Sequence, residues 1–342
     1  MYYENEEPQE EQPPPPPRQI TPEEYLAERK RSMRRRSWWA VGVGAALIVL
    51  HLFLFAVLIY NPDEYDEILT WKDLFRSIFF LLGLFALAGG IWGLYEARRM
   101  TLEDLIPTPE AILFAKQSEN VTPTYSYILI GCLVAVTLSQ MATGLNESVE
   151  IAGLVKPDVW TQSQYWRILT SAAMHGGILH LYFNSQAFYG FGGLIEFLSN
   201  RAHLSIVFLL SVIGGAILSI IFMPEGRSVG ASGGIMGLIG YLAVYGYRRK
   251  RQLPPDFLRS MLVNIGFVAA FGLVAYQIID NFAHLGGLLT GAVYGFLQIP
   301  RDLHINPRAT GAVVEAIGII SVGIFVFTSV LTVLLILGTI KF

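Results

Sequence analysis

Gly230-Ala231-Ser232-Gly233-Gly234 heads one apolar run, and Ala283-His284-Leu285-Gly286-Gly287 heads another. A serine among small residues and a histidine, each at the start of a membrane-length segment, are costly groups to place in lipid, and such groups mark function. They also bear on the fold, because an apolar run in a bilayer must satisfy its own backbone and does so as a helix. Runs of spanning length lie at roughly 38–60, 77–95, 124–143, 177–195, 203–223, 232–247, 258–277, 283–299 and 311–340. The reading is an all-α polytopic membrane protein. The runs at 232 and 283 are on the short side.

Composition agrees. The 342 residues are 53% hydrophobic and 15% charged, against about 25% charged in soluble domains, which excludes an ordinary water-facing globule. The net charge of −3 hides an asymmetry: an acidic start, Met1–Gln12, precedes the basic runs Arg29-Lys30-Arg31 and Arg34-Arg35-Arg36. Those basic residues directly precede the apolar segment at Trp38, so they read as a juxtamembrane anchor and not as a nucleic-acid surface. Residues 1–37, with five prolines at Pro13–Pro17, read as a disordered Pro/Glu-rich cytoplasmic arm. No cleavable signal peptide is evident, and the first span reads as retained. Cys132 is the single cysteine, and no Cys/His spacing matches a structural zinc site.

The positive-inside rule orients the spans. With Arg29–Arg36 inside, Asp63–Asp66 falls outside, while Arg98-Arg99, Arg201, Arg248–Arg251, Arg301 and Arg308 fall inside; Lys341-Phe342 ends outside. Residues 144–170, Ser232 and His284 then share the outer side.

On the helix after His284, Gly287, Gly291 and Gly295 lie near one face, and Gly233, Gly237 and Gly240 do the same after Ser232. Glycine faces let backbones approach closely. Two such helices packed together bring Ser232 and His284 near each other. Plain helix packing, with Ser232 as an N-cap and His284 as a core polar group, fits the same pattern. A third segment, Met174 to Asn184, sets His180 and Asn184 four apart on one helix face. An imidazole and a carboxamide are donors suited to a developing oxyanion.

These residues resemble the rhomboid intramembrane serine proteases. The resemblance covers roughly 124–299 and rests on Trp166-Arg167, the His175…His180…Asn184 set, Glu196, Gly230-Ala231-Ser232-Gly233, and Ala283-His284 followed by Gly287 and Gly291. It implies a six-helix rhomboid-like core. Two extra N-terminal spans and a linker then occupy 38–123, and a loop with one extra C-terminal span occupies 300–342.

It further implies an intramembrane serine endopeptidase with Ser232 as nucleophile and His284 as general base. His180, Asn184 and the Ser232 backbone N–H would form the oxyanion site, with His175 nearby. Trp166, Arg167 and Glu196 would be structural, as would Gly230, Gly233, Gly287 and Gly291. Met236 stands where members often carry an aromatic residue against the histidine, so a changed pocket is expected. Asp280, four residues before His284, is expected to cap a helix or lie in a loop. No cofactor is expected. A zinc site from His175, His180 and His284 would lack the His-Glu-x-x-His pattern, so no metal is expected either. The substrates implied are transmembrane segments of other proteins, reached within a lipid bilayer, with no nucleic-acid partner. The span 258–277 and the loop Gln277–Phe282 are the expected moving parts. A bacterial cytoplasmic membrane is the expected location, with the site open to the outer side. The alternative is a catalytically silent relative that binds membrane clients. A transporter would need charges along a pathway, which Glu196 and Asp280 do not supply.

Overall fold

The computed structural model describes residues 21–60, 77–106, 109–118 and 121–340, and the chain divides into two units between Ile106 and Pro107. The Pro13–Pro17 run, the Asp63–Asp66 loop and Lys341-Phe342 lie outside the described residues.

The first unit is a pair of packed helices, α1 (Pro22–Tyr60) and α2 (Ile78–Arg99). Helix α1 corrects the expectation of a disordered arm reaching residue 37. It begins at Pro22 and runs through the basic cluster into the apolar segment. The cause is local. The Thr21 hydroxyl accepts the Glu24 N–H and the Glu24 carboxylate accepts the Thr21 N–H, both at 3.2 Å, with proline at the first helical position. That is a capping box, and it starts a helix whatever the average composition around it. Glycines join the pair: a Cβ on Gly44 would lie 2.6 Å from the Gly83 carbonyl oxygen, and one on Gly90 would lie 2.7 Å from the Ser37 carbonyl oxygen. His51 packs against the rings of Phe55 and Phe80.

The second unit starts before the expected boundary at 124. Helix α3 (Pro109–Ser118) belongs to it because the Phe114 ring meets Phe197 at 5.0 Å and Phe257 at 6.3 Å. Helix α4 (Thr124–Thr143) leads into a long connecting loop built from three short helices, α5 (Leu145–Ala152), α6 (Lys156–Thr161) and α7 (Arg167–Thr170). Then come α8 (Ile178–Leu198), α9 (Arg201–Phe222), α10 (Ser232–Arg248), α11 (Phe257–Val274), α12 (Asn281–Gln298) and α13 (Ala312–Ile336). Strand β1 (Leu154–Val155) pairs antiparallel with β2 (Arg227–Ser228), tying the connecting loop to the segment just before Ser232.

Six helices among the described residues, α1, α2, α4, α9, α11 and α13, are long and apolar enough to cross a membrane. The other long helices, α8, α10 and α12, carry His180 and Asn184, Ser232, and His284. Their polar residues and glycines lower their hydropathy, and α10 has only 17 residues. At 1.5 Å per residue α10 is about 26 Å long, shorter than a hydrocarbon core of about 30 Å. The protein is an integral, multi-pass, all-α membrane protein.

Helix α9 sits centrally, packed on α10, α12 and α13. The last helix is part of this core: the Ser205 hydroxyl donates to the Gly318 carbonyl at 2.8 Å, and the Phe208 and Phe325 rings meet at 5.0 Å. At the end of α10 away from Ser232, the buried Arg249 guanidinium donates to the carbonyls of Pro300, Asp302, Leu303 and Ile305. The basic stretches at 248–251 and 301–308 therefore gather at one end of the unit, and the serine lies at the other.

Candidate active site

The glycine faces decide where the serine and histidine stand. A Cβ on Gly287 would overlap the Gly233 carbonyl, and one on Gly291 would overlap the Gly237 carbonyl. Helices α10 and α12 thus touch backbone to backbone along their length. On its other side α12 meets α9 as closely, since a Cβ on Gly215 would lie 2.6 Å from the Ala283 carbonyl oxygen and one on Gly286 would lie 2.5 Å from the Gly214 carbonyl oxygen. Both α10 and α12 begin at the end of the unit that carries the loop between α4 and α8, so their first turns are neighbours. There His284 Nε2 lies 2.8 Å from Ser232 Oγ. For the ring to receive the serine proton, Nε2 must be the unprotonated nitrogen and Nδ1 must carry the hydrogen. Nδ1 is buried and meets no hydrogen-bond partner among the described residues. Among the described residues no carboxylate bonds Nδ1 to complete a triad.

Asp280 is engaged elsewhere. It is the N-cap of α12, its Oδ1 accepting the Ala283 N–H at 2.9 Å. Oδ2 accepts the Ser219 hydroxyl and pairs with Lys156 Nζ at 3.2 Å. Burial opposes ionisation of this carboxyl. The bonds from Ser219 and the Ala283 amide, the charge of Lys156 and a bond from Ser228 outweigh it and hold the carboxyl below its usual range.

His180 and Asn184 occupy the first turns of α8. The Gly176 N–H donates to His180 Nδ1 at 3.3 Å, which assigns the proton of the neutral ring to Nε2. That N–H edge faces the serine turn: a Cβ on Gly230 would lie 2.9 Å from His180 Cε1, 3.1 Å from Nε2 and 3.8 Å from Ser232 Oγ. Gly230 is excluded from carrying a side chain twice over, since its φ is +130°. Its own N–H donates to the Ser171 carbonyl at 3.0 Å, which holds the turn in place. Asn184 is buried and donates one amide hydrogen to the His180 carbonyl at 3.0 Å, leaving a second N–H to give.

His175 is fully buried behind His180, with ring centroids 5.0 Å apart. Its Nδ1 meets Thr137 Oγ1 at 3.1 Å, and Gln140 brackets its backbone, accepting its N–H at 2.8 Å and donating to its carbonyl at 3.2 Å. Met236 lies in the hydrophobic core one turn after Ser232. His203 sits at the other end of α9, 2.9 Å from the Tyr294 hydroxyl. Among the described residues no three His, Cys, Asp or Glu gather to hold a metal ion.

The remaining predicted residues make contacts away from the serine. Arg167 is buried, donates to the carbonyls of Gly153 and Glu150 at 2.7 and 3.0 Å, and lies 4.8 Å from the Trp166 ring centre. It folds the loop between α4 and α8 around one guanidinium. Glu196 accepts the Ser126 N–H and hydroxyl, each at 2.8 Å, capping α4 from the far end of α8. Sequence reasoning missed Lys156, which is 2% exposed although it lies in a loop. The adjacent Pro157-Asp158, a helix-start signal, is the one local hint that this lysine is not simply solvated.

The arrangement offers a serine hydroxyl facing an imidazole acceptor, with an imidazole N–H and a carboxamide on the adjoining helix. It can activate a hydroxyl and receive a developing oxyanion.

Residues 162–301 match the rhomboid domain family. The chain is 36% identical over 143 residues to RHOMBOID-like protein 6, mitochondrial, of Arabidopsis thaliana, covering 40% of this chain and 45% of that one. It is 30% identical over 179 residues to Rhomboid protease GluP of Bacillus subtilis, covering 51% and 34%. It is also 29% identical over 166 residues to Inactive rhomboid protein 1 of Danio rerio, covering 48% and 19%. The matches thus span less than half the length of these relatives.

Proposed function

The chain carries a rhomboid domain, which places it in that family, and from this premise we propose that it is an intramembrane serine endopeptidase. The observation that carries the proposal is the 2.8 Å contact between His284 Nε2 and Ser232 Oγ beside the protonated edge of His180. In this reading Ser232 Oγ attacks a substrate carbonyl while His284 Nε2 takes its proton. The oxyanion is received by His180 Nε2–H, the free N–H of Asn184 and the backbone N–H at the start of α10, where the helix dipole adds positive potential. His284 then hands the proton to the departing amine, leaving an acyl-enzyme on Ser232. Water, activated by the same imidazole, releases the second fragment.

The substrate is the transmembrane segment of another protein, opened near its end. Hydrolysis needs water, and a helix of about 26 Å that begins below the membrane surface leaves the serine open to the aqueous side. We place that side opposite the basic stretches at 248–251 and 301–308, hence outside, with the bacterial cytoplasmic membrane as the location. The relative in Bacillus subtilis named as a protease supports the activity.

Purified protein in liposomes with a transmembrane model substrate tests the reading. Wild type should cleave, Ser232→Ala should not, and His284→Ala should lose about 10²- to 10⁴-fold, the usual contribution of a general base. Equal cleavage by all three contradicts the proposal. So does absence of cleavage by wild type across several substrates, which would favour a silent client-binding protein.

A further inference from the structure

One carboxylate ties the head of α12 to α9 and to Lys156 of α6. Asp280 caps α12 through the Ala283 N–H, one residue before His284. It accepts the Ser219 hydroxyl from the last turn of α9. It pairs at 3.2 Å with Lys156, at the start of α6 in the loop between α4 and α8. Lys156 in turn donates its N–H to the Gly226 carbonyl at 3.2 Å, beside the β1–β2 pairing. The serine's approach segment and the histidine's helix start are therefore held to one point.

The need for such a point follows from the histidine. Its Nδ1 has no partner among the described residues, so no third side chain orients the ring. Its position must come from the backbone of α12. Stability alone does not explain the pair. A buried ion pair gains little over a well-packed apolar pair once desolvation is counted, and its best-attested use is to fix register. Here Lys156 is 2% exposed and Asp280 14%.

We propose that Lys156 and Asp280 form a pin that sets the separation of Ser232 and His284, making both positioning residues for the dyad. The inference rests on the protease reading above. Its substrate-independent consequence is that removing the pin loosens the serine–histidine contact while the membrane-facing surfaces that meet substrate stay intact.

The test uses full-length protein in liposomes and separates kcat from KM for Lys156→Met, Asp280→Asn, the double variant and Lys156→Arg. Asp280→Asn keeps an oxygen for the Ala283 N–H, so the helix cap survives. Each of the first two should lower kcat roughly 10- to 100-fold, the scale of a misplacement of about 1 Å, with KM within about threefold of wild type. The double variant should be no worse than the worse single, because both act through one contact. Lys156→Arg should recover most of the rate. Unchanged kcat, a rise confined to KM, or losses that multiply in the double variant would overturn the pin. Should Lys156→Met fail to fold, Ser219→Ala removes only a hydroxyl from the cluster; a kcat loss of about threefold or more at constant KM supports the pin, and no loss overturns it. Labelling of Ser232 by a fluorophosphonate separates the two claims. A wild type that neither labels nor cleaves removes the protease reading and the pin with it. A wild type that does both, with variants that match it, removes the pin alone.

Discussion

Helices α11 and α12 are neighbours in sequence, are both 18 residues long and are both apolar, yet they are held in opposite ways. Helix α12 buries Gly286, Gly287, Gly291 and Gly295, and its backbone lies against those of α9 and α10. Helix α11 buries Phe257, Met261 and Gly272, and turns long side chains such as Leu262, Val263, Phe267 and Leu273 outward. It meets α12 chiefly at its C-terminal end, where Asn281 Nδ2 donates to the Gly272 carbonyl at 2.9 Å. Without a hydrophobic effect between helices in lipid, close backbone packing is what holds them together. A helix that lacks it is freer to move. The histidine stands on the welded helix and the loosely held one flanks it, and we propose that they act as a rigid wall and a movable one.

The largest test of this contrast is Gly291→Val. Even a Cβ there would overlap the Gly237 carbonyl, so the weld must open. Overpacking of this kind costs about 1–3 kcal/mol and occasionally more. Thermal unfolding in detergent should fall sharply and cleavage should vanish with it; a variant as stable as wild type would break the account of α12. Next in size is a reversible cross-link between the C-terminal half of α11 and α8, introduced with Cys132 replaced. Cleavage should stop while the bond is intact and return on reduction, and unchanged activity would remove α11 as the moving wall. The smallest effect belongs to Gly266→Ala in α11. Nothing lies within 4 Å of a Cβ at Gly266, so stability should rise by about 0.4–1 kcal/mol from reduced chain freedom, with activity retained. A fall comparable to that of Gly291→Val would erase the distinction between the two helices.

Much of α12 was legible in the sequence, because glycines at helical spacing are themselves the contact. Gly287 and Gly291 needed no knowledge of their partners to mark a close-packed face. The Ser232–His284 contact was legible for the same reason: once the two faces meet, the residues at their heads must be neighbours. His180 and Asn184 could be placed on one helix face, but the tautomer that turns Nε2–H towards the serine depends on the Gly176 N–H, a loop detail. Helix α1 was misread where composition was averaged over Pro- and Glu-rich residues, although Thr21 and Glu24 form a cap by themselves. Lys156 was missed because its partner is remote in sequence and its burial arises only when the loop between α4 and α8 folds over α12. In the sequence Arg249 was simply one of the Arg248–Arg251 cluster placed inside. Its saturation by the carbonyls of the loop after α12 is a tertiary fact that no local pattern announces.

The central claim is that Ser232 is a nucleophile because His284 lies against it. Wild type, His284→Ala and Ser232→Ala, each in liposomes, can be treated with a fluorophosphonate and the modified peptide identified by mass spectrometry. The account predicts a single adduct on Ser232 in wild type, formation slowed about 10²-fold or more in His284→Ala, and none in Ser232→Ala. An adduct on another residue, or labelling of Ser232 at the same rate without His284, would contradict it.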